Sequence, residues 1–198
     1  MNYEEFIKIY FEENSFLNKK DRDKLTEMIR IVSYPTNKII LPRGEKSNQV
    51  GIISKGLIRG YDKSDRTVWL LHEDNVYGLT KTASLEYSSS LTYETLEETT
   101  LFLFNYPDLE NTIREYPNVA ALMMMFWKNM TEEVCKNYYV FLHSTPEERY
   151  LHLLNQDSKL ILRVKSKDIA TYLGIHPASL SRLKKRHFNP SHNPKISS

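Results

Sequence analysis

The sequence predicts an α+β protein: an N-terminal antiparallel β-roll of jelly-roll (double-stranded β-helix) type with flanking helices, a long single helix, and a C-terminal helix-turn-helix with a reduced or missing wing. Three observations predict it. Between Lys38 and Asn105, short β-rich runs are separated by Gly, Pro, Asp or Ser at close intervals, the signature of antiparallel rather than βαβ architecture. Residues 118–143 contain no Pro or Gly and keep a helical apolar period. Residues 166–186 (SKDIATYLGIHPASLSRLKKR) read as two short helices around Gly174. The expected parts are residues 1–117, 118–143 and 144–198.

At the N-terminus, Phe6, Ile9 and Tyr10, then Leu25, Met28, Ile29 and Val32, recur at helical spacing. Asn18 or Asp21 is placed to start the second of these helices. From Tyr34 onward the runs KIILP, QVGIIS, LIRGYD, TVWLLHE, SLTYETLEE and TTLFLFN predict strands. Gly44, Gly56 and Gly78 fall at three of the breaks, where tight turns need positive φ. After Pro107, the spacing of Leu109, Ile113 and Tyr116 predicts a short helix that ends at Pro117.

The long helix carries Val119, Leu122, Met123, Phe126, Trp127, Met130, Val134 and Phe141 as one wide apolar stripe. A helix of this length in a small protein calls for two apolar sides, one for its own domain and one for a partner. Leu122, Met123, Phe126, Met130 and Val134 are therefore expected at a parallel homodimer contact. Burial of the whole stripe within one chain is the alternative.

Thr145, Pro146, Glu147 and Glu148 open the next helix as cap, first residue and carboxylates at the positive end. In the last pair of helices Ser166 is the expected cap, and Ile169, Ala170 and Leu173 form a narrow inner face. Gly174 stops the first helix in a left-handed conformation, Ile175 plugs the corner, and Pro177 follows His176 at the start of the second helix. Leu180 and Leu183 then face inward. Ser179, Ser181, Arg182, Lys184, Lys185 and Arg186 are left outside, a short polar and basic face suited to a DNA major groove. An ordinary helical hairpin with a solvated charged face is the other reading of the same residues. The tail HFNPSHNPKISS is polar and broken by Pro.

Charge sharpens this division. Residues 144–198 hold ten Lys or Arg against four Asp or Glu, a net +6, so the first 143 residues carry −4 of the chain's net +2. A basic end on an acidic body fits a polyanionic partner at that end alone. The single cysteine, Cys135, excludes an internal disulfide and a Cys-built iron–sulfur or zinc site. No apolar run reaches bilayer length, and the N-terminus lacks the features of a secretory signal, so a cytoplasmic protein is expected. Phosphate-loop, nucleophile-elbow, zinc and dinucleotide motifs are absent from the sequence, so no enzyme is expected.

The order of elements resembles the Crp/Fnr superfamily of bacterial transcription regulators over nearly the whole length. The resemblance is carried by YPTNKIILPRGEKSNQVGIISKGLIRGY and DNVYGL in the roll, and by STPEERYLHLL and VKSKDIATYLGIHPASLSRLKK near the C-terminus. It implies a homodimer that binds double-stranded DNA at a two-fold operator. A small-molecule effector in the roll and RNA polymerase are its other implied partners. Ser166, Lys167, His176 and Ser179 would contact phosphates, while Arg182 matches the family's base-reading Arg. Pro177 and Ala178 fall on the other two base-reading positions and have no polar reach, so Lys185 and Arg186 would share that work.

Three departures from the family pattern matter. Cyclic-nucleotide-binding members carry a Gly-Glu pair on the later turn and an Arg-Ser pair soon after it. Here Leu79 follows Gly78, and no basic residue lies between Ala83 and Glu98, so a buried cyclic phosphate would lack its counter-charge. No response to cyclic AMP is expected. Tyr77, Gly78, Leu79, Ser89 and Ser90, with Ser88 and Tyr93, either line a pocket for a different ligand or form surface loop. Second, a haem ligand would have to be the isolated His72 or Cys135, and neither a cofactor nor a metal is expected. Third, only twelve residues follow Arg186, too few for a full wing, which shifts phosphate grip to Lys165, Lys167, Lys184, Lys185 and Arg186. The rival reading is a sensing roll whose DNA reader is vestigial.

Overall fold

The computed structural model describes residues 2–78 and 88–188. The chain divides into two compact units, residues 1–135 and 136–198, and the division falls inside the long helix.

The first unit begins with α1 (Tyr3–Ile7), which runs directly into a π-helical turn at Lys8–Glu12. Asn2 caps α1 reciprocally with Glu5. The chain departs here from the expected spacing. The π turn closes i to i+5, with the Glu13 amide donating to the Lys8 carbonyl at 2.9 Å. Residues five apart therefore share a face: Phe6 and Phe11 are both buried, with ring centroids 5.4 Å apart, while Ile9 is 47% exposed. α2 (Lys19–Met28) starts at Asn18, whose side chain accepts from the Asp21 amide while the Asp21 carboxylate accepts from the Asn18 amide. Ile29 is already extended, and β1 (Arg30–Tyr34) follows at once. Val32 thus belongs to a strand, not to a helix.

Seven further strands follow: β2 (Ile39–Leu41), β3 (Gln49–Lys55), β4 (Ile58–Tyr61), β5 (Thr67–Leu71), β6 (Val76–Tyr77), β7 (Thr92–Thr95) and β8 (Thr99–Asn105). They form two four-stranded antiparallel sheets in the orders β1-β8-β3-β6 and β2-β7-β4-β5. The expected jelly roll is therefore present, and β1 and β6 complete it. The run TTLFLFN has no polar alternation because β8 is covered on both faces. Leu101 and Leu103 enter the roll interior with Ile53, Ile58, Tyr77 and Tyr93, while Phe102 and Phe104 pack outward against Phe6, Phe11 and Leu25.

Asn105 caps α3 (Tyr106–Glu115), and α4 (Pro117–His143) follows after Tyr116. The second unit holds the end of α4, then α5 (Pro146–Gln156), α6 (Ser158–Arg163), α7 (Ser166–Tyr172) and α8 (Pro177–Phe188). Its core is built from Tyr150, Leu153, Leu160, Ile161, Ile169, Ala170, Leu173, Leu180 and Leu183. The short helix α6, capped by Asp157, was not anticipated. The residues where a wing was expected to be reduced or missing lie outside those described.

Candidate nucleic-acid interface

α5 begins as its sequence predicts. Thr145 Oγ1 accepts from the Glu148 amide, and the Glu148 carboxylate accepts from both the amide and the hydroxyl of Thr145 at 2.7 and 2.8 Å. These bonds, the backbone one first, hold the Glu148 carboxyl below the usual carboxylate range.

The turn between α7 and α8 is a complete Schellman closure. The Gly174 amide donates to the Thr171 carbonyl at 3.1 Å and the Ile175 amide to the Ala170 carbonyl at 2.9 Å. Gly174 sits at φ +68°, where a residue with a Cβ is strained. A Cβ there would lie 3.4 Å from the Phe141 ring and 3.7 Å from the Arg149 guanidinium, which itself stacks 4.7 Å over Phe141. Phe141, from the last turn of α4, and Arg149 of α5 thus back the corner of the helix-turn-helix. The pairing of Arg149 with Phe141 has no local sequence signal, since eight positions separate them across a helix break.

His176 starts α8 by an unexpected means: its Nδ1 accepts from the Ala178 amide at 3.3 Å. Leu180 and Leu183 are buried as expected. Ala178, Arg182, Lys185 and Arg186 are exposed on α8, with Ser179 half-buried among them. The spacing of 178, 182, 185 and 186 sets them along one side of the helix. Arg182 is held by a hydrogen bond from its guanidinium to Ser179 Oγ at 3.1 Å.

Two expected contact residues are engaged within the unit. Ser166 is not the cap of α7. Lys165 occupies that position without a side-chain bond, because the extended residue lies one place earlier. The Ser166 hydroxyl instead accepts from Lys184 Nζ at 3.0 Å, tying α7 to α8. Arg186 is bound to Glu147 at 3.1 Å, and the other Glu147 oxygen meets His187 Nε2 at 2.8 Å. Glu147 therefore does more than meet the start of its own helix. It reaches across to the end of α8, a contact 39 residues distant that sequence reading missed. Lys167 is exposed at the start of α7 and lies 4.0 Å from the buried Asp168 carboxylate.

The long helix divides its stripe. Leu122 was expected at a partner contact, but it is fully buried with Val119 in the core between the N-terminal helices and the outer face of the β1-β8-β3-β6 sheet. Met123 and Phe126 pack partly on the same core, and Met130 is half-buried. Val134 is exposed, as are Trp127, Tyr138, Phe141 and Leu142 further along the helix.

In the roll, Tyr77 is buried and meets Tyr93 edge-on, with ring centroids 5.6 Å apart. Burial, reinforced by Tyr93 and Tyr34, pushes the Tyr77 hydroxyl well above its ordinary pKa. Gly78 has φ +89°, and a Cβ there would collide with the Gln49 carbonyl oxygen. Ser89 is buried as a loop fastener: its amide donates to Glu45, its carbonyl accepts from Gly44, and its hydroxyl donates to the Leu91 carbonyl at 2.6 Å. Ser90 is exposed, and Leu79 lies outside the described residues. Among the described residues no group of three or more His, Cys, Asp or Glu is placed to hold a metal, and no helix is long and apolar enough to cross a membrane.

No protein-family model matches the sequence, and no curated protein matches it. Solved structures do. FixK2 from Bradyrhizobium japonicum is 19% identical with a TM-score of 0.69, over 86% of this chain and 89% of that one. A Crp/Fnr-family protein from Eubacterium rectale is 17% identical with a TM-score of 0.68, over 95% and 91% of the two chains. The fold is that of the Crp/Fnr regulators. A third Crp/Fnr-fold match, the c-di-GMP-responsive global regulator CLP of Xanthomonas campestris, is 12% identical with a TM-score of 0.67, over 85% and 91%. At these identities it is the Crp/Fnr fold that the likeness establishes.

Proposed function

We propose that this protein is a sequence-specific DNA-binding transcription regulator that acts as a homodimer on a two-fold operator. The observation that carries the reading is the Gly174-closed turn, which presents the exposed side of α8, with Arg182 and Lys185, on a basic unit. A short polar helix presented in this way suits the major groove, and Arg182 has the reach to engage guanine through two hydrogen bonds. Ser179 limits the conformations of the Arg182 guanidinium before contact. Lys165, Lys167 and Lys185 supply phosphate attraction that weakens as salt rises. The exposed residues Trp127, Val134, Tyr138 and Leu142 of α4 favour a second copy as the partner of that helix.

The roll acts without cyclic AMP. Leu79 in place of an acidic residue, and the lack of a basic residue from Ala83 to Glu98, leave a cyclic phosphate without counter-charge. Tyr77 and Tyr93 pack inside the roll with Leu41, Ile53, Ile58, Leu101 and Leu103.

The test is selection of genomic DNA fragments by the purified protein, read by sequencing with and without cyclic AMP. A two-fold motif with half-sites about one helical turn apart, unchanged by cyclic AMP, is the expected result. Failure to enrich any motif in buffer and in cell extract would favour a sensing roll with a vestigial reader.

A further inference from the structure

A partly open cavity of about 40 Å³ lies in the first unit, outside the roll. Phe6 of α1, Phe11 of the π turn and Leu25 of α2 form one side, the outer faces of β3, β6 and β8 a second, and Met123 and Phe126 of α4 a third. Its wall exposes no polar surface. We propose that this cavity is a binding site for a compact, uncharged, apolar molecule smaller than a benzene ring.

Three features carry the proposal. An ordered water needs two to four polar partners, and this wall offers none, so the space suits an apolar occupant better than a bound water. Size sets the class: a cavity of roughly 150 Å³ admits benzene, and this one is far smaller. The wall is also built by an uncommon device. A π turn is rare in proteins and concentrates at functional sites, and here it sets Phe11 beside Phe6 on the cavity's face. Met123 and Phe126 are only partly buried, and the flexible thioether chain of Met123 suits a gate that yields and closes again. An occupant would press on α4, so the site lies against the helix that continues into the second unit. This inference stands independently of whether α8 reads DNA.

Xenon is the probe, because it is uncharged, apolar and compact. In full-length protein labelled with ¹³C at the methionine methyls, xenon pressure should shift the Met123 methyl in a saturable way. The methyl of its neighbour Met124, 69% exposed, should move only weakly and linearly. Val76→Phe fills the space and should abolish the saturable shift, while Leu122→Ala enlarges it and should tighten xenon binding several-fold. Equal linear shifts at Met123 and Met124 in the wild-type protein would overturn the proposal. So would a saturable shift that survives in folded Val76→Phe. If Val76→Phe does not fold, Leu122→Ala decides, and xenon binding no tighter than in the wild type counts against the site.

Discussion

Replacing Gly174 with Ala tests whether the corner of the helix-turn-helix depends on backbone conformation or on space. The residue sits at φ +68°, and forcing an L-residue into that region costs about 1–2 kcal/mol. The steric contribution is small by comparison, since the new Cβ would meet only the edge of the Phe141 ring at 3.4 Å and the mobile end of Arg149 at 3.7 Å. The expected loss is therefore about 1–2 kcal/mol, nearly all of it conformational. Gly174→Asn should cost clearly less, because Asn tolerates the left-handed region while presenting a larger side chain. The assay is hydrogen exchange of peptides spanning residues 164–186, with urea unfolding followed by far-UV circular dichroism as a second measure. The decisive comparison repeats Gly174→Ala in a Phe141→Ala background. A conformational cost persists there, whereas a contact cost disappears. If Asn proves as damaging as Ala, or if Phe141→Ala rescues Gly174→Ala, the conformational argument is refuted.

Arg182→Ala should weaken binding to a selected operator by about 1–3 kcal/mol and relax preference at one base pair; equal loss on random DNA in a gel-shift titration would remove Arg182 from base reading. Glu147→Gln should release Arg186 and strengthen binding to random DNA at low salt. It should change stability by less than about 1 kcal/mol, because both partners are partly exposed; unchanged affinity would place Arg186 away from the phosphates. Glu148 has a lowered carboxyl pKa in the folded chain, so the support it lends to α5 is present above its unfolded value and is lost as pH falls through the folded one. Carboxyl titration by NMR should show that shift, and Thr145→Ala should return Glu148 toward its ordinary range.

Much of the fold and part of the candidate interface were legible because they rest on local backbone chemistry. Asn18 and Thr145 satisfy the free amides of the helices they begin, and only residues within three positions take part. The Gly174 turn closes through the amides of Gly174 and Ile175, which reach carbonyls three and five residues back, so the helix-turn-helix needed nothing distant to declare itself. Glycines at the strand breaks and the run 118–143, free of Pro and Gly, are equally local signals. The N-terminal helices were read with the wrong period at one point, because apolar spacing alone does not announce a π turn. Val32 fitted both a helix face and a strand, and only its pairing opposite Leu101 on β8 decided between them.

What the tertiary structure alone decided is which side chains are already occupied. Leu122 and Val134 belong to one apolar stripe in the sequence, yet the first is sealed against the N-terminal helices and the second is exposed. Ser166 looks like a cap until Lys184, eighteen positions away, takes its hydroxyl. Arg186 looks like a DNA ligand until Glu147 is found beside it. Caps and turns are settled by neighbours along the chain, whereas burial and ion pairing depend on residues that only folding brings together.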